Sequence, residues 1–186
     1  FGAKNATSSY YRFINVENAE LTYTDLYSKN TDKVKSIDFE REFDLSSESY
    51  DFALVMNTLE HIYNHQEFVN NVSNSIKSNG RLEGFVPFLH HYHQDPDDYF
   101  RYTHSALKRI LENANFDNIK ITPICKGGFS VSASLISRIL KIKIFVLIWW
   151  LIAILLDKPL NKIWSVNKDI YGGLAFSAIK SEASNT

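Results

Sequence analysis

The chain has 186 residues, which suits one domain with a sizeable core and argues against two. With 45% hydrophobic, 22% charged and 14% aromatic residues it has the composition of a packed soluble domain, which excludes intrinsic disorder. Twenty Lys and Arg nearly balance twenty-one Asp and Glu, so no chain-wide field gathers polyanions and no nucleic-acid partner is expected.

Cys125 is the sole cysteine, which excludes an internal disulfide and suits a reducing, cytoplasmic setting. Residues 1 to 20 are polar and lack an apolar core, so no signal peptide is expected. The first residue is Phe1 rather than Met, and the natural start is expected upstream of it.

In chain order, strand and helix signals alternate, the pattern of a mostly parallel α/β sheet covered by helices. Residues 20–25 alternate apolar and polar and end in Asp25; residues 34–39 form a second short run with Asp38 near its end. Tyr50 to Met56 is almost wholly apolar, as a central strand buried on both faces requires. Asn64 and Glu67 have capping-box spacing at the start of a helix whose apolar face is Phe68, Val69, Val72 and Ile76, with Asn79-Gly80 as its stop. Arg81 to Phe88 reads as a strand, and Thr103 opens a helix carrying Leu107, Ile110, Leu111 and Ala114 inward. Residues 119–124 and 174–179 are the remaining strands.

Residues 135–165 read as an apolar helical insertion within a single domain spanning 1–186. Its unbroken apolar core, Ile144 to Leu156, reaches about 20 Å as a helix, short of the roughly 30 Å of bilayer hydrocarbon. Extending it back to Leu135 would draw Arg138, Lys141 and Lys143 into lipid. A buried helix is the first expectation, covered by the core or by a partner subunit. A helix lying in a membrane interface is the second.

Ligands of parallel α/β sheets bind beyond the carboxyl ends of the strands, and three features fall there. Asp25 can accept both ribose hydroxyls of a nucleoside, or simply end a strand in solvent. Asp38 can receive an adenine amino group with Phe39 against the ring, or be an ordinary turn residue. The third feature is the turn after Met56. Further on, His90, His91, His93 and Asp95 offer a donor set that suits zinc or iron. Adjacent histidines on an extended chain face opposite ways, so no metal is assigned.

The stretch Tyr50-Asp-Phe-Ala-Leu-Val-Met-Asn-Thr-Leu-Glu-His-Ile62 resembles the fourth strand and following turn of class I S-adenosylmethionine-dependent methyltransferases. Lys77-Ser-Asn-Gly80-Arg-Leu, Phe85-Val-Pro-Phe88 and Asn113-Ala-Asn-Phe116 are similar to segments that follow it in that family, and the resemblance covers residues 20–125. His93-Gln-Asp-Pro96-Asp-Asp98-Tyr-Phe-Arg101-Tyr-Thr103 is similar to a segment of a subgroup associated with bacterial cell-surface sugar pathways.

The resemblance implies a Rossmann-like sheet whose last strand alone is antiparallel, with S-adenosylmethionine as cofactor. Gly2, Asn57, Thr58, Glu60 and His61 would join Asp25, Asp38 and Phe39 around it. Phe1-Gly-Ala-Lys-Asn5 would be what remains of the family's glycine-rich loop, followed by Tyr10, Tyr11 and Phe13. The strand before that loop would precede Phe1, leaving a slot between the strands ending near Asp25 and Met56, with two unpaired edges.

The implied reaction is methyl transfer to a small molecule, a hydroxyl of a sugar or nucleotide sugar in polysaccharide biosynthesis. His93, then His91, would take the proton. Asp98 would orient the base or bind sugar hydroxyls, and Arg101 would grip a phosphate or carboxylate, unless the two form a salt bridge that pins the loop. Tyr99 and Tyr102 read as packing residues. The alternative is a catalytically inactive module docked to a membrane or a partner through residues 135–156. Peripheral membrane contact and a homodimer through that segment are both open.

Overall fold

A computed structural model describes residues 1–2, 19–26, 34–43, 45, 47, 49–137, 139–140 and 142–182. Ala3, Lys4, Asn5, Tyr10, Tyr11, Phe13, Arg138 and Lys141 lie outside the described residues.

The strands are β1 (Tyr23–Asp25), β2 (Val34–Ser36), β3 (Tyr50–Met56), β4 (Ile76–Pro87), β5 (Phe116–Lys126) and β6 (Tyr171–Lys180). The helices are α1 (His65–Ser75), α2 (His104–Asn113), α3 (Gly128–Ile136), α4 (Lys143–Ile163) and α5 (Ser165–Lys168), with a 3-10 turn at Leu59–His61. β1 and β2 form a parallel pair, and the larger sheet has the order β3-β4-β6-β5. β3 and β4 are parallel, whereas β6 is antiparallel to both its neighbours, so it alone is reversed in that sheet. The fold is α/β and Rossmann-like, as the alternation of signals predicted.

Among the described residues no strand lies between β1 and β3. An apolar cavity takes that place, lined by Leu21, Thr22 and Tyr23 and by Phe52, Ala53 and Leu54. Phe1 sits at its edge, its backbone nitrogen donating to the Leu54 carbonyl at 2.9 Å. Its ring belongs to an aromatic cluster with Phe39, Phe43 and Phe68, centroids 5.2–6.0 Å apart.

The core lies between the sheet and its helices. Phe68, Val72, Leu82, Val86, Leu107, Leu111, Phe116 and Leu174 are each 0–1% exposed. The predicted inward faces of α1 and α2 are buried, and Thr103 caps α2 by accepting from Ala106 N–H at 3.3 Å.

Three local expectations are corrected. Asn64 occupies the N-cap of α1 without a side-chain cap, since its amide donates to the Glu40 carbonyl instead. The Glu40 carboxylate takes over the free amides there, accepting from Tyr63 N–H at 2.6 Å and Asn64 N–H at 3.2 Å. Asn79-Gly80 does not stop that helix. α1 ends at Ser75, Ile76 already belongs to β4, and the pair sits inside an irregular stretch of the strand, where pairing with β3 jumps from Tyr50↔Ile76 to Phe52↔Arg81. Finally, α4 is not buried in the core: of its 21 residues only Ala153 and Asp157 are buried.

Candidate functional site

β3 ends at Met56, and Asn57 turns the chain with φ 49°, the left-handed region that Asn tolerates better than most residues. Asn57 N–H donates to the Phe85 carbonyl at 3.0 Å, fixing the turn against β4. Gly2, with φ +65°, lies against that turn, and a Cβ there would stand 2.3 Å from Thr58 Oγ1. Only glycine fits so close an approach without strain.

One cavity at this rim is lined by Gly2, Asp25, Asp38, Phe39, Asn57, Thr58 and His61, together with Asp95, Pro96, Asp97 and Tyr99. Seven of the eight residues named from the sequence as cofactor contacts thus share one wall-to-wall space. Asp25 is 8% exposed, at the carboxyl end of β1. Asp38 is half-exposed, accepts from Glu40 N–H at 3.0 Å and pairs with Arg41 at 3.1 Å. Phe39 lines the cavity, but its ring is packed into the aromatic cluster, which leaves only its rim for a ligand.

Glu60 is the exception. It is fully buried behind His61 and does not line the cavity, so a direct contact with cofactor is corrected. Burial pushes its carboxyl up to about 7, against the pull of the Arg101 charge.

An adjoining cavity shares Gly2, Asn57, His61 and Asp95 with the first and adds His90, His91, His93, Phe85, Pro87 and Cys125. His91 and His93 therefore face the space next to the first cavity, and the His61 and His93 rings meet edge to face, centroids 4.9 Å apart. Asp98 and Arg101 form a two-pronged ion pair, so neither is free to grip a substrate and the loop-pinning alternative is the one realised. Asp98 still positions His93, accepting from its backbone N–H at 2.8 Å. The Arg101 guanidinium holds the Asp98 carboxyl down to about 2.

Tyr102 is buried and donates to the Leu59 carbonyl at 3.0 Å, and Tyr99 and Phe100 dock their N–H groups on the Glu60 carbonyl at 2.9 and 3.2 Å. Sequence reasoning missed Asp97, whose carbonyl lies 2.5 Å from His61 Nδ1, and it placed Tyr99 only as packing although that ring lines the first cavity. A backbone carbonyl carries no residue signature, so nothing in the sequence marked the first.

No protein-family model and no curated protein sequence matches this chain. Solved structures do. The phosphoethanolamine N-methyltransferase 2 of Haemonchus contortus, in complex with phosphomonomethylethanolamine and S-adenosylhomocysteine, superposes with TM-score 0.51 at 14% identity, over 81% of this chain and 38% of that one. An S-adenosylmethionine-dependent methyltransferase from Mesorhizobium loti gives 0.51 at 12% identity over 86% and 81%. Another from Archaeoglobus fulgidus gives 0.50 at 15% over 84% and 74%. The chain thus spans well under half of the nematode enzyme. The strand order, the single reversed strand and these superpositions agree: the chain has the fold of the class I S-adenosylmethionine-dependent methyltransferases.

Proposed function

We propose that the protein binds S-adenosylmethionine and transfers its methyl group to a small molecule, a hydroxyl of a sugar or nucleotide sugar. The observation that carries the reading is convergence: Gly2, Asp25, Asp38, Asn57 and Thr58, from four separate segments, line one cavity beyond the carboxyl ends of parallel strands. The residues fit the cofactor's parts. Asp25 offers a carboxylate for ribose hydroxyls, Asp38 an acceptor for the adenine amino group, and the bare backbone of Gly2 a close approach that a Cβ would block.

When bound, the cofactor supplies an electrophilic methyl on a sulfonium. The protein's share is alignment and exclusion of water, and orientation alone is worth roughly 7–11 kcal/mol. His91 and His93, in the adjoining cavity, are the proton acceptors for an attacking hydroxyl. Asp98 and Arg101 hold the loop that carries them. The sugar acceptor is supported by the His93 to Thr103 segment, and a cytoplasmic setting by the lone cysteine.

Calorimetry of the full-length protein with S-adenosylmethionine and S-adenosylhomocysteine tests the first step, and a screen of nucleotide sugars for methylated product tests the second. Binding without turnover on any hydroxyl acceptor would favour an inactive binding module.

α4 supports a place at a membrane surface. Nine apolar side chains between Ile144 and Leu156 are 41–70% exposed, whereas only Ala153 and Asp157 of the helix are buried. Lys143, Lys158 and Lys162 flank the apolar stretch, as suits anionic headgroups.

A further inference from the structure

Glu60 is fully buried, and neither of its carboxylate oxygens accepts a hydrogen bond. An ionised carboxylate so placed is costly unless a cation answers it. The nearest guanidinium, Arg101, spends both prongs on Asp98.

Two imidazoles face Glu60 instead. His61 Nε2 lies 3.7 Å and His93 Nε2 3.8 Å from the same oxygen, Oε1. The other nitrogen of each ring is already committed. His61 Nδ1 is 2.5 Å from the Asp97 carbonyl oxygen; His93 Nδ1 is 3.2 Å from the His91 carbonyl oxygen and 3.5 Å from Asp98 Oδ2. Carbonyls and carboxylates only accept, so each Nδ1 carries the ring proton and each Nε2 of the neutral imidazole presents a lone pair toward Glu60. With Glu60 ionised and both imidazoles neutral, three acceptors converge with no donor among them, and each histidine stands beyond hydrogen-bond length from Glu60. A metal cation resolves all three at once. Histidines whose far nitrogen is fixed by a carbonyl or carboxylate are the usual form of protein metal ligands.

We propose that Glu60, His61 and His93 bind a divalent first-row transition metal. The three ligand atoms lie within 4.8 Å of one another. Bonds of about 2.0–2.1 Å in tetrahedral geometry set ligand atoms roughly 3.4 Å apart, so each histidine must close on Glu60 by a few tenths of an ångström, and the two imidazoles must approach each other, to complete the site. Two His and one carboxylate leave coordination positions open, the arrangement of metals that do chemistry rather than hold structure. His61 and His93 also line the cavity beside the candidate cofactor space, so the open positions face an acceptor. The site stands on this geometry and does not require methyl transfer. Where that reading holds, the metal would polarise the acceptor oxygen, and His91 would take the proton because His93 would be committed to the metal.

The test is calorimetric titration of metal-stripped full-length protein with Zn(II), with visible absorption of Co(II) as a second readout. One equivalent should bind, and Glu60→Gln and His93→Gln should each weaken binding about 100-fold and abolish the Co(II) ligand-field bands. His90→Gln should stay within about threefold of wild type. Glu60→Gln removes a buried charge at constant shape, so the metal-free variant should melt no lower than wild type, and Zn(II) should raise the melting temperature of wild type only. Absence of Co(II) bands in wild type, or Zn(II) binding equal in wild type and both ligand variants, would overturn the site. Binding of S-adenosylhomocysteine, measured in parallel without metal, reports on the methyltransferase reading separately.

Discussion

Asp98 and Arg101 meet through both prongs, Oδ1 to Nη1 at 2.5 Å and Oδ2 to Nη2 at 2.6 Å, with the carboxylate 1% exposed. The same carboxylate accepts from His93 N–H, so one side chain ties the loop to itself and aims the histidine. Asp98→Ala would strand a half-buried guanidinium and is expected to cost about 3 kcal/mol, read by urea denaturation. The pH dependence has a definite sign. The carboxyl is held at about 2, below its unfolded value of 3.8, so its contribution is full above about pH 4 and is lost as pH falls through about 2. Acid titration of Asp98→Ala should lack that segment of the wild-type curve.

Asp157 of α4 caps a different helix. Its Oδ2 accepts from Ser130 N–H at 2.6 Å and its Oδ1 from Phe129 N–H at 3.3 Å, the free amides at the start of α3. Gly127, with φ +110°, precedes them, and a Cβ there would lie 2.2 Å from the Asp157 carboxyl carbon. Asp157→Ala should lower stability by about 1–2 kcal/mol, as loss of a helix cap does. Gly127→Ala should cost at least as much, through backbone strain and collision together. Thermal melts of the two variants and their double mutant check this, and they should be less than additive because both changes disrupt one cap.

At the cofactor rim the test is binding. Gly2→Ala puts a methyl into Thr58 and forces an unfavourable φ, so affinity for S-adenosylhomocysteine should fall about tenfold or more. Asp25→Ala removes the carboxylate offered to ribose and should fall by a similar factor, about 1–3 kcal/mol for a hydrogen bond to a charged group. Wild-type affinity in both variants would remove the carrying observation for the proposed function.

What the sequence made legible was periodic. Tyr50 to Met56 declared a strand by composition, though not the expected central strand buried on both faces: among the described residues β3 ends its sheet and only Ala53 and Val55 of it are buried. Leu107, Ile110, Leu111 and Ala114 declared the inward face of α2 by spacing. The convergence of Asp25, Asp38 and the Asn57 turn was readable because all follow strands, and parallel strands end at one rim. Asn79-Gly80 misled because a turn dipeptide marks an irregular strand as well as a helix end: Gly80 lies against Ile76 and the Asp51 carbonyl, packing that only the partner strand reveals. The Glu60 to His93 approach is a tertiary contact across 33 positions, with no spacing to announce it. Asp98 and Arg101 read equally well as ligand grips or as a mutual pair, because composition cannot say which charge reaches which.

The apolar run of α4 has the same ambiguity in a stronger form: thirteen apolar residues look alike whether protein or lipid covers them. Exposure decides against the protein's own core, and a lipid surface is the occupant we test. Leu147 and Leu151 are each 55% exposed and one turn apart on α4. Replacing both with Glu withdraws two leucines from the acyl boundary at roughly 1.5 kcal/mol each, so partition onto anionic vesicles should weaken about 100-fold. Added salt should weaken wild-type binding on anionic vesicles, through screening of Lys143, Lys158 and Lys162, and should matter little on neutral ones. Vesicle flotation measures both. The folded core should be indifferent to the double substitution, with an unchanged melting temperature, since neither leucine is buried. Failure of wild type to float, together with a concentration-dependent dimer that the substitutions dissolve in sedimentation equilibrium, would assign this face to a second copy of the chain instead.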